Sequence, residues 1–101
     1  PVGEDVFGPT RVQFASPHPN PIAGPTTFRF AVPVRSVVEL AIYDLRGRRV
    51  HILVDDTLVA GTHRFPWLGV DDQGVEVASG VYLVRALSDE EEIVRKIALV
   101  R

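Results

Sequence analysis

Apolar residues in this chain recur at every second position in one short stretch after another, and nowhere at helical spacing over a useful length. A period of two puts alternate side chains on one side of an extended strand, whereas an amphipathic helix needs a period near 3.6. Residues 26–32 show the pattern most clearly. Phe28, Phe30 and Val32 fall on one face; Thr27, Arg29 and Ala31 fall on the other, and Pro33 ends the run. This alternation excludes a helical bundle and points to half-buried strands.

Turn signals separate the runs. Leu45-Arg46-Gly47-Arg48 reads as a tight turn between residues 37–44 and 49–54, so these two runs predict a hairpin. Val38, Leu40 and Ile42 face inward from the first, and Val50, Ile52 and Val54 from the second. Asp55-Asp56-Thr57 predicts a loop. His63, Phe65 and Trp67 share a face of the next strand. Pro66 lies inside that strand and has no N–H for a ladder, which predicts an edge position or a bulge. Asp71-Asp72-Gln73-Gly74 fits a β-turn with carboxylate first and glycine last, followed by a short extended piece, Val75-Glu76-Val77. Tyr82, Val84 and Ala86 share one face of residues 80–87. An acidic turn at 88–92 precedes a last strand in which Ile93, Ile97 and Leu99 share a face. Near the amino end, Val12 and Phe14 lie on one side of a short strand, and Ser16-Pro17-His18-Pro19-Asn20-Pro21 predicts a stiff extended corner. Seven strands with turn signals about every 8–12 residues predict an all-β chain, a seven-stranded antiparallel immunoglobulin-like β-sandwich.

A chain of 101 residues is one domain, able to bury roughly two-thirds of its unfolded surface. Its net charge of -2 offers no basic footprint for nucleic acid. The absence of cysteine excludes a disulfide framework and a thiolate metal site. The chain lacks methionine even at position 1, a basic-then-apolar signal segment and any apolar run of about 18 residues. These features predict a piece of a longer precursor.

Residues 67–82 hold the candidate chemistry. Asp71, Asp72 and Glu76 offer carboxylates, but calcium takes six to eight oxygens and their spacing matches no EF-hand loop. Aspartate before glycine is better read as turn chemistry. Asp55 and Asp56 form a second acidic pair, and nothing local points to the cleft a general acid and base would need. His18, His51 and His63 lack the close spacing of a zinc site. No Gly-x-Ser-x-Gly elbow, cysteine nucleophile or phosphate-cradling loop is present. Arg46, Arg48 and Arg49 read as a charged hairpin tip. Trp67 and Tyr82 are either core residues or an aromatic sugar platform, their register with Phe65 and Val84 favouring the core. The expectation is a noncatalytic module with no cofactor, metal or small-molecule substrate.

Several motifs occur in a fixed order: Pro19-Asn20-Pro21; Thr26-Thr27-Phe28-Arg29-Phe30; residues 42–50, Ile-Tyr-Asp-Leu-Arg-Gly-Arg-Arg-Val; and Ala60-Gly61-Thr62-His63. Then come Trp67-Leu68-Gly69-Val70-Asp71-Asp72-Gln73-Gly74, Ala78-Ser79-Gly80-Val81-Tyr82 and Arg95-Lys96-Ile97-Ala98-Leu99-Val100-Arg101. Together they resemble the C-terminal sorting domain (type A) of type IX secretion cargo. They are equally similar to the immunoglobulin-like domain of flagellar hook-capping proteins, which shares the Trp-x-Gly-x-Asp-x-x-Gly and Gly-x-Tyr elements. The likeness covers residues 14–101, leaving 1–13 as a linker or leader with the start of the first strand.

The resemblance implies a β-sandwich at the carboxyl end of a larger secreted bacterial protein, on the outer cell surface or released after passage through the periplasm. Its implied partners are a secretion translocon, a processing peptidase and a covalently linked upstream cargo domain. The implied sorting-signal residues are Gly80, Val81, Tyr82, Lys96, Ile97, Leu99 and Arg101, and the family's structural motif is Trp67, Gly69, Asp71 and Gly74. Many members end in a lysine-rich strand; this chain ends Leu99-Val100-Arg101. The alternative implied role is a structural spacer in a hook cap or beside an extracellular catalytic domain. On the sorting reading the terminal strand, with its edge and basic residues, is the expected working surface.

Overall fold

A computed structural model describes residues 11–15, 22–89 and 91–101. The leader at 1–9, the proline corner at 16–21 and His18 lie outside the described residues. The strands in chain order are β1 (Gln13–Ala15), β2 (Thr26–Val32), β3 (Ser36–Tyr43), β4 (Arg49–Leu58), β5 (Gly61–Trp67), β6 (Gly80–Ser88) and β7 (Glu91–Leu99). They form a three-stranded sheet, β1-β2-β5, and a four-stranded sheet, β4-β3-β6-β7. Every neighbouring strand pair is antiparallel. The fold is the β-sandwich expected from the alternation.

The core joins the inward faces of both sheets: Phe14, Phe28, Phe30, Val32 and Trp67 from one, and Val38, Leu40, Ile42, Tyr82, Val84, Ala86, Ile97 and Leu99 from the other. Full burial of a Val, Leu, Ile or Phe side chain contributes about 1.5–3 kcal/mol, so this one cluster is what holds the two sheets together. The Phe14 ring lies 6.0 Å from both Phe28 and Phe30, which anchors the short β1. On β5, an edge strand, Pro66 lies opposite Thr27, and an edge is the position in a sheet where a residue without an N–H is tolerated.

Strand β4 departs from the alternation. Asp55-Asp56-Thr57, expected as a loop, continues the strand to Leu58, with Asp55 opposite Glu39. The acidic pair is tolerated because β4 is an edge strand, where charge discourages pairing with another chain. Register shifts between Leu40 and Ala41, and between Ile42 and Tyr43, each insert an extra residue into β4. Val50 and Val54 pack on the core as expected, together with Leu53 and Leu58, while Ile52 sits opposite Ala41 on the outer face. An inserted residue resets the period of two.

Candidate functional site

The crossing from β5 to β6, residues 68–79, carries the chain from the small sheet to the large one. Trp67 ends β5 and Tyr82 lies near the start of β6. Their rings meet edge to face, 6.1 Å apart at 71°. Both are core residues that anchor the two ends of the crossing, and by meeting they close it upon itself. Trp67 is only 1% exposed and donates its indole N–H to the Val70 carbonyl at 2.8 Å. The Tyr82 hydroxyl donates to the Ala78 carbonyl at 2.6 Å. Burial raises the Tyr82 pKa, opposed by the Arg101 charge and reinforced by that of Asp44. A buried indole has no face to offer a sugar, so the platform reading of Trp67 is overturned.

Asp71 is a turn residue. Its Oδ1 accepts the N–H groups of Gln73 and Val75, both at 2.9 Å, and the Gly74 N–H bonds the Asp71 carbonyl at 3.0 Å. Gly74 has φ +82°, a left-handed conformation that suits glycine. The β3–β4 hairpin repeats this device: Asp44 Oδ1 accepts from Arg46 and Arg48, and Gly47 has φ +86°. The shared signature Asp-x-x-Gly-x was legible at both places, yet Asp44 was missed because the turn was read as starting at Leu45. Gly80 begins β6 and is not among the positive-φ glycines.

The Asp44 carboxyl is held below its ordinary pKa, first by the Arg48 backbone N–H; desolvation opposes this, and the Arg46 N–H and Arg48 side chain assist. A depressed carboxylate pKa contributes stability that is present above the unfolded-state pKa and lost as pH falls through the folded-state value. Asp44→Asn keeps the acceptor oxygen but removes the titration. The stability gap between wild type and Asp44→Asn in urea unfolding is therefore expected to shrink as pH falls through the carboxylate range. A gap that stays constant with pH would contradict this assignment.

Asp72 covers the edge of β4. Its backbone N–H donates to the Val50 carbonyl at 2.9 Å, and its Oδ1 accepts the Ile52 N–H at 2.9 Å. Arg49 Nε lies 3.4 Å from Asp72 Oδ2. His51 Nδ1 lies 3.4 Å from Asp72 Oδ1 without making a hydrogen bond. Asp55 is on the outer face farther along β4, so the two acidic pairs do not meet. His63 sits in the other sheet, its Nε2 2.7 Å from the Val59 carbonyl and its ring stacked on Phe65. Among the described residues, no group of three or more His, Cys, Asp or Glu is placed to hold a metal ion.

The sorting-signal candidates divide by face. Tyr82, Ile97 and Leu99 are core residues, whereas Val81 and Lys96 lie on the outer face of the large sheet. Gly80 opposes Leu99 at the start of β6. The outer edge of β7 is not open at its carboxyl end, because the Ile22 N–H donates to the Ala98 carbonyl at 2.8 Å and its carbonyl accepts from Val100 at 2.9 Å. Nearer the middle, an Arg95 guanidinium N–H reaches the Val94 carbonyl at 3.3 Å.

Arg101 is drawn back onto the crossing. Its backbone N–H donates to Ser79 Oγ at 2.9 Å, its Nε to the Val77 carbonyl at 2.5 Å and its Nη2 to the Gly69 carbonyl. Glu76 Oε2 lies 3.6 Å from Nη1. Gly69 has φ +73°, and a Cβ there would stand 2.6 Å from Arg101 Nη2. Only glycine combines that backbone conformation with room for the guanidinium. The expected family motif (Trp67, Gly69, Asp71, Gly74) and the end of the chain thus form one structure. A groove of about 430 Å³ beside it is lined by Asp44, Arg48, Arg49, Asp71, Glu76 and Tyr82, among others. Its charges pair locally: Arg48 with Asp44, Arg49 with Asp72, and Glu76 with Arg101. Arg101 was legible as a basic terminal residue, but no local signal placed it on a loop 32 residues earlier in the chain.

The sandwich is similar in fold to solved structures. The structure of dimeric latent PorU from Porphyromonas gingivalis matches with a TM-score of 0.68 at 21% identity, over 92% of this chain and 10% of that one. PorZ, described as an essential surface component of the type-IX secretion system of the same bacterium, matches at 0.57 and 22% identity, over 97% of this chain and 12% of that one. FlgD from P. aeruginosa matches at 0.56 and 26% identity, over 74% of this chain and 60% of that one. The chain therefore spans about a tenth of the PorU and PorZ chains and somewhat over half of FlgD. A comparison with curated proteins gives no match. The model of the FlgD Ig-like domain family matches residues 23–92, from just after Ile22 through β2 to β6 and into the start of β7, and the chain belongs to that family.

Proposed function

We propose that this domain is a noncatalytic sorting and anchoring module of a larger secreted bacterial protein, read by a type IX secretion translocon. The observation that carries the reading is the likeness to PorZ. It covers 97% of this chain but only 12% of PorZ, as a small module inside a much larger surface protein would. The proposed partners are the translocon, a processing peptidase and a covalently linked upstream cargo domain, and the proposed destination is the cell surface. In this role Val81, Lys96 and Arg101 present the signal, while Tyr82, Ile97 and Leu99 hold the strand that carries it. Recognition is by side chains more than by strand addition, since Ile22 already occupies the carboxyl-terminal edge of β7.

The test is a reporter fused to this domain in a host with type IX secretion. The expected result is a reporter at the surface, and its loss on deletion of residues 96–101. That deletion also removes buried Ile97 and Leu99, so Lys96→Ala with Arg101→Ala, which spares the core, is the sharper variant. Surface delivery that survives both changes would overturn the assignment of the signal to the last strand. The second reading, a structural immunoglobulin-like spacer, is favoured by the family match itself. A folded fusion that stays inside the cell would support it.

A further inference from the structure

The outer face of the large sheet is ordered by charge along its strands. Cross-strand register sets up three rows. The first is Asp55, Glu39, Leu87 and Glu92; the second is Ile52, Ala41, Arg85 and Val94; the third is Arg49, Tyr43, Leu83 and Lys96. The first row is acidic, the middle row is apolar apart from Arg85, and the third is basic with two large apolar side chains. Arg85 is already bound to Glu92 at 2.5 Å. Glu39 and Asp55 stand directly opposite one another. Like charges in that position destabilise a sheet, and neither has an ion-pair partner among the described residues.

The same face exposes the strand-borne hydrophobics. Val37, Val81 and Val94 are 60%, 38% and 46% exposed, and all three alternate outward from the large sheet. The other large exposed hydrophobics lie outside the strands. An apolar groove of about 220 Å³, lined by Tyr43, Gly47, Leu83, Arg85 and Val94, opens onto this face. The small sheet differs: its outer face carries Thr27, Arg29, Thr62 and Arg64.

We infer that this face binds a second copy of the chain through a two-fold axis running along the middle row. That operation inverts the strand direction while keeping the order of strands. The acidic row of each copy then lies over the basic row of the other, with Asp55 over Arg49 and Glu92 over Lys96. Glu39 meets the Tyr43 hydroxyl, Leu87 meets Leu83, and the middle rows pack on each other. The contact is isologous and self-complementary, as a closed dimer requires. Four strands about 4.8 Å apart and three rows about 6.6 Å apart give roughly 400 Å² per copy. Stable complexes bury about 800 Å² per partner, so the dimer is weak and its charge pairing is sensitive to salt.

Sedimentation velocity on the wild-type chain tests this. The expected result is a concentration-dependent dimer at about 20 mM salt whose Kd rises about tenfold or more at about 500 mM. Glu39→Lys with Asp55→Lys and Glu92→Gln makes both end rows basic, and Arg49→Glu with Lys96→Glu makes both acidic; each variant alone is expected to be monomeric. Mixing the two should restore the dimer, because every end row then meets its opposite. Val94→Arg, at an exposed position in the middle row, should abolish association in an otherwise folded domain. A wild type that stays monomeric at every concentration and salt would overturn the proposal. So would a dimer indifferent to these substitutions, or reversal variants that fail to complement each other.

Discussion

Replacement of Trp67 by alanine is expected to cost about 3–5 kcal/mol, a large share of the roughly 5–15 kcal/mol that holds a domain of this kind together. The indole is buried, packs edge to face on Tyr82 from the opposite sheet, and bonds the Val70 carbonyl. Its loss opens a cavity between the sheets and leaves that carbonyl without its partner. Urea unfolding followed by circular dichroism should show the midpoint collapsing or the native baseline vanishing. Trp67→Phe keeps much of the packing and loses the hydrogen bond, so its cost should be clearly smaller. A loss below about 1 kcal/mol for the alanine variant would mean that the indole is not the pin joining β5 to β6.

The second large effect is expected at Gly69. An alanine there must adopt a left-handed φ, at a cost of about 1–2 kcal/mol, and its Cβ would occupy the place of Arg101 Nη2. Expulsion of the guanidinium adds the loss of its bonds to the Gly69 and Val77 carbonyls, so Gly69→Ala should destabilise by about 2–4 kcal/mol. Arg101→Ala loses the same bonds without backbone strain and should cost about 1–2 kcal/mol, since the side chain is partly exposed. Because both changes remove one contact, the double variant should be more stable than the sum of the two predicts. A double-mutant cycle in urea reads this directly, and strict additivity would show that the clasp carries no energy.

Much of the sandwich was legible because a half-buried strand writes its orientation into alternate residues. Phe28, Phe30 and Val32, and likewise Val38, Leu40 and Ile42, are the clearest cases. The edge position of β5 was legible from Pro66, and the turn role of Asp71 from the glycine that follows it. Strand β4 was harder to read. Its bulges depend on how the backbone twists against β3, and no residue type in the strand announces them. Asp55 and Asp56 suggested a loop because solvated carboxylates suit loops, yet an edge strand solvates them equally well. For the candidate site, alternation already divides the terminal strand into inward Ile97 and Leu99 and outward Lys96, while the Ile22 bridge over the β7 edge comes from a distant part of the chain.

Residues 67–82 therefore have two origins. The sequence by itself determined that this segment connects two strands, that aspartate and glycine shape its turn, and that aromatic residues bound it. These properties follow from backbone sterics and local side-chain chemistry. Only the tertiary structure decided that Trp67 meets Tyr82 across the sheets, that Asp72 closes the β4 edge and that Arg101 lies over Gly69. Those contacts join segments far apart in the chain, and their geometry exists only once hydrophobic burial has brought the two sheets together.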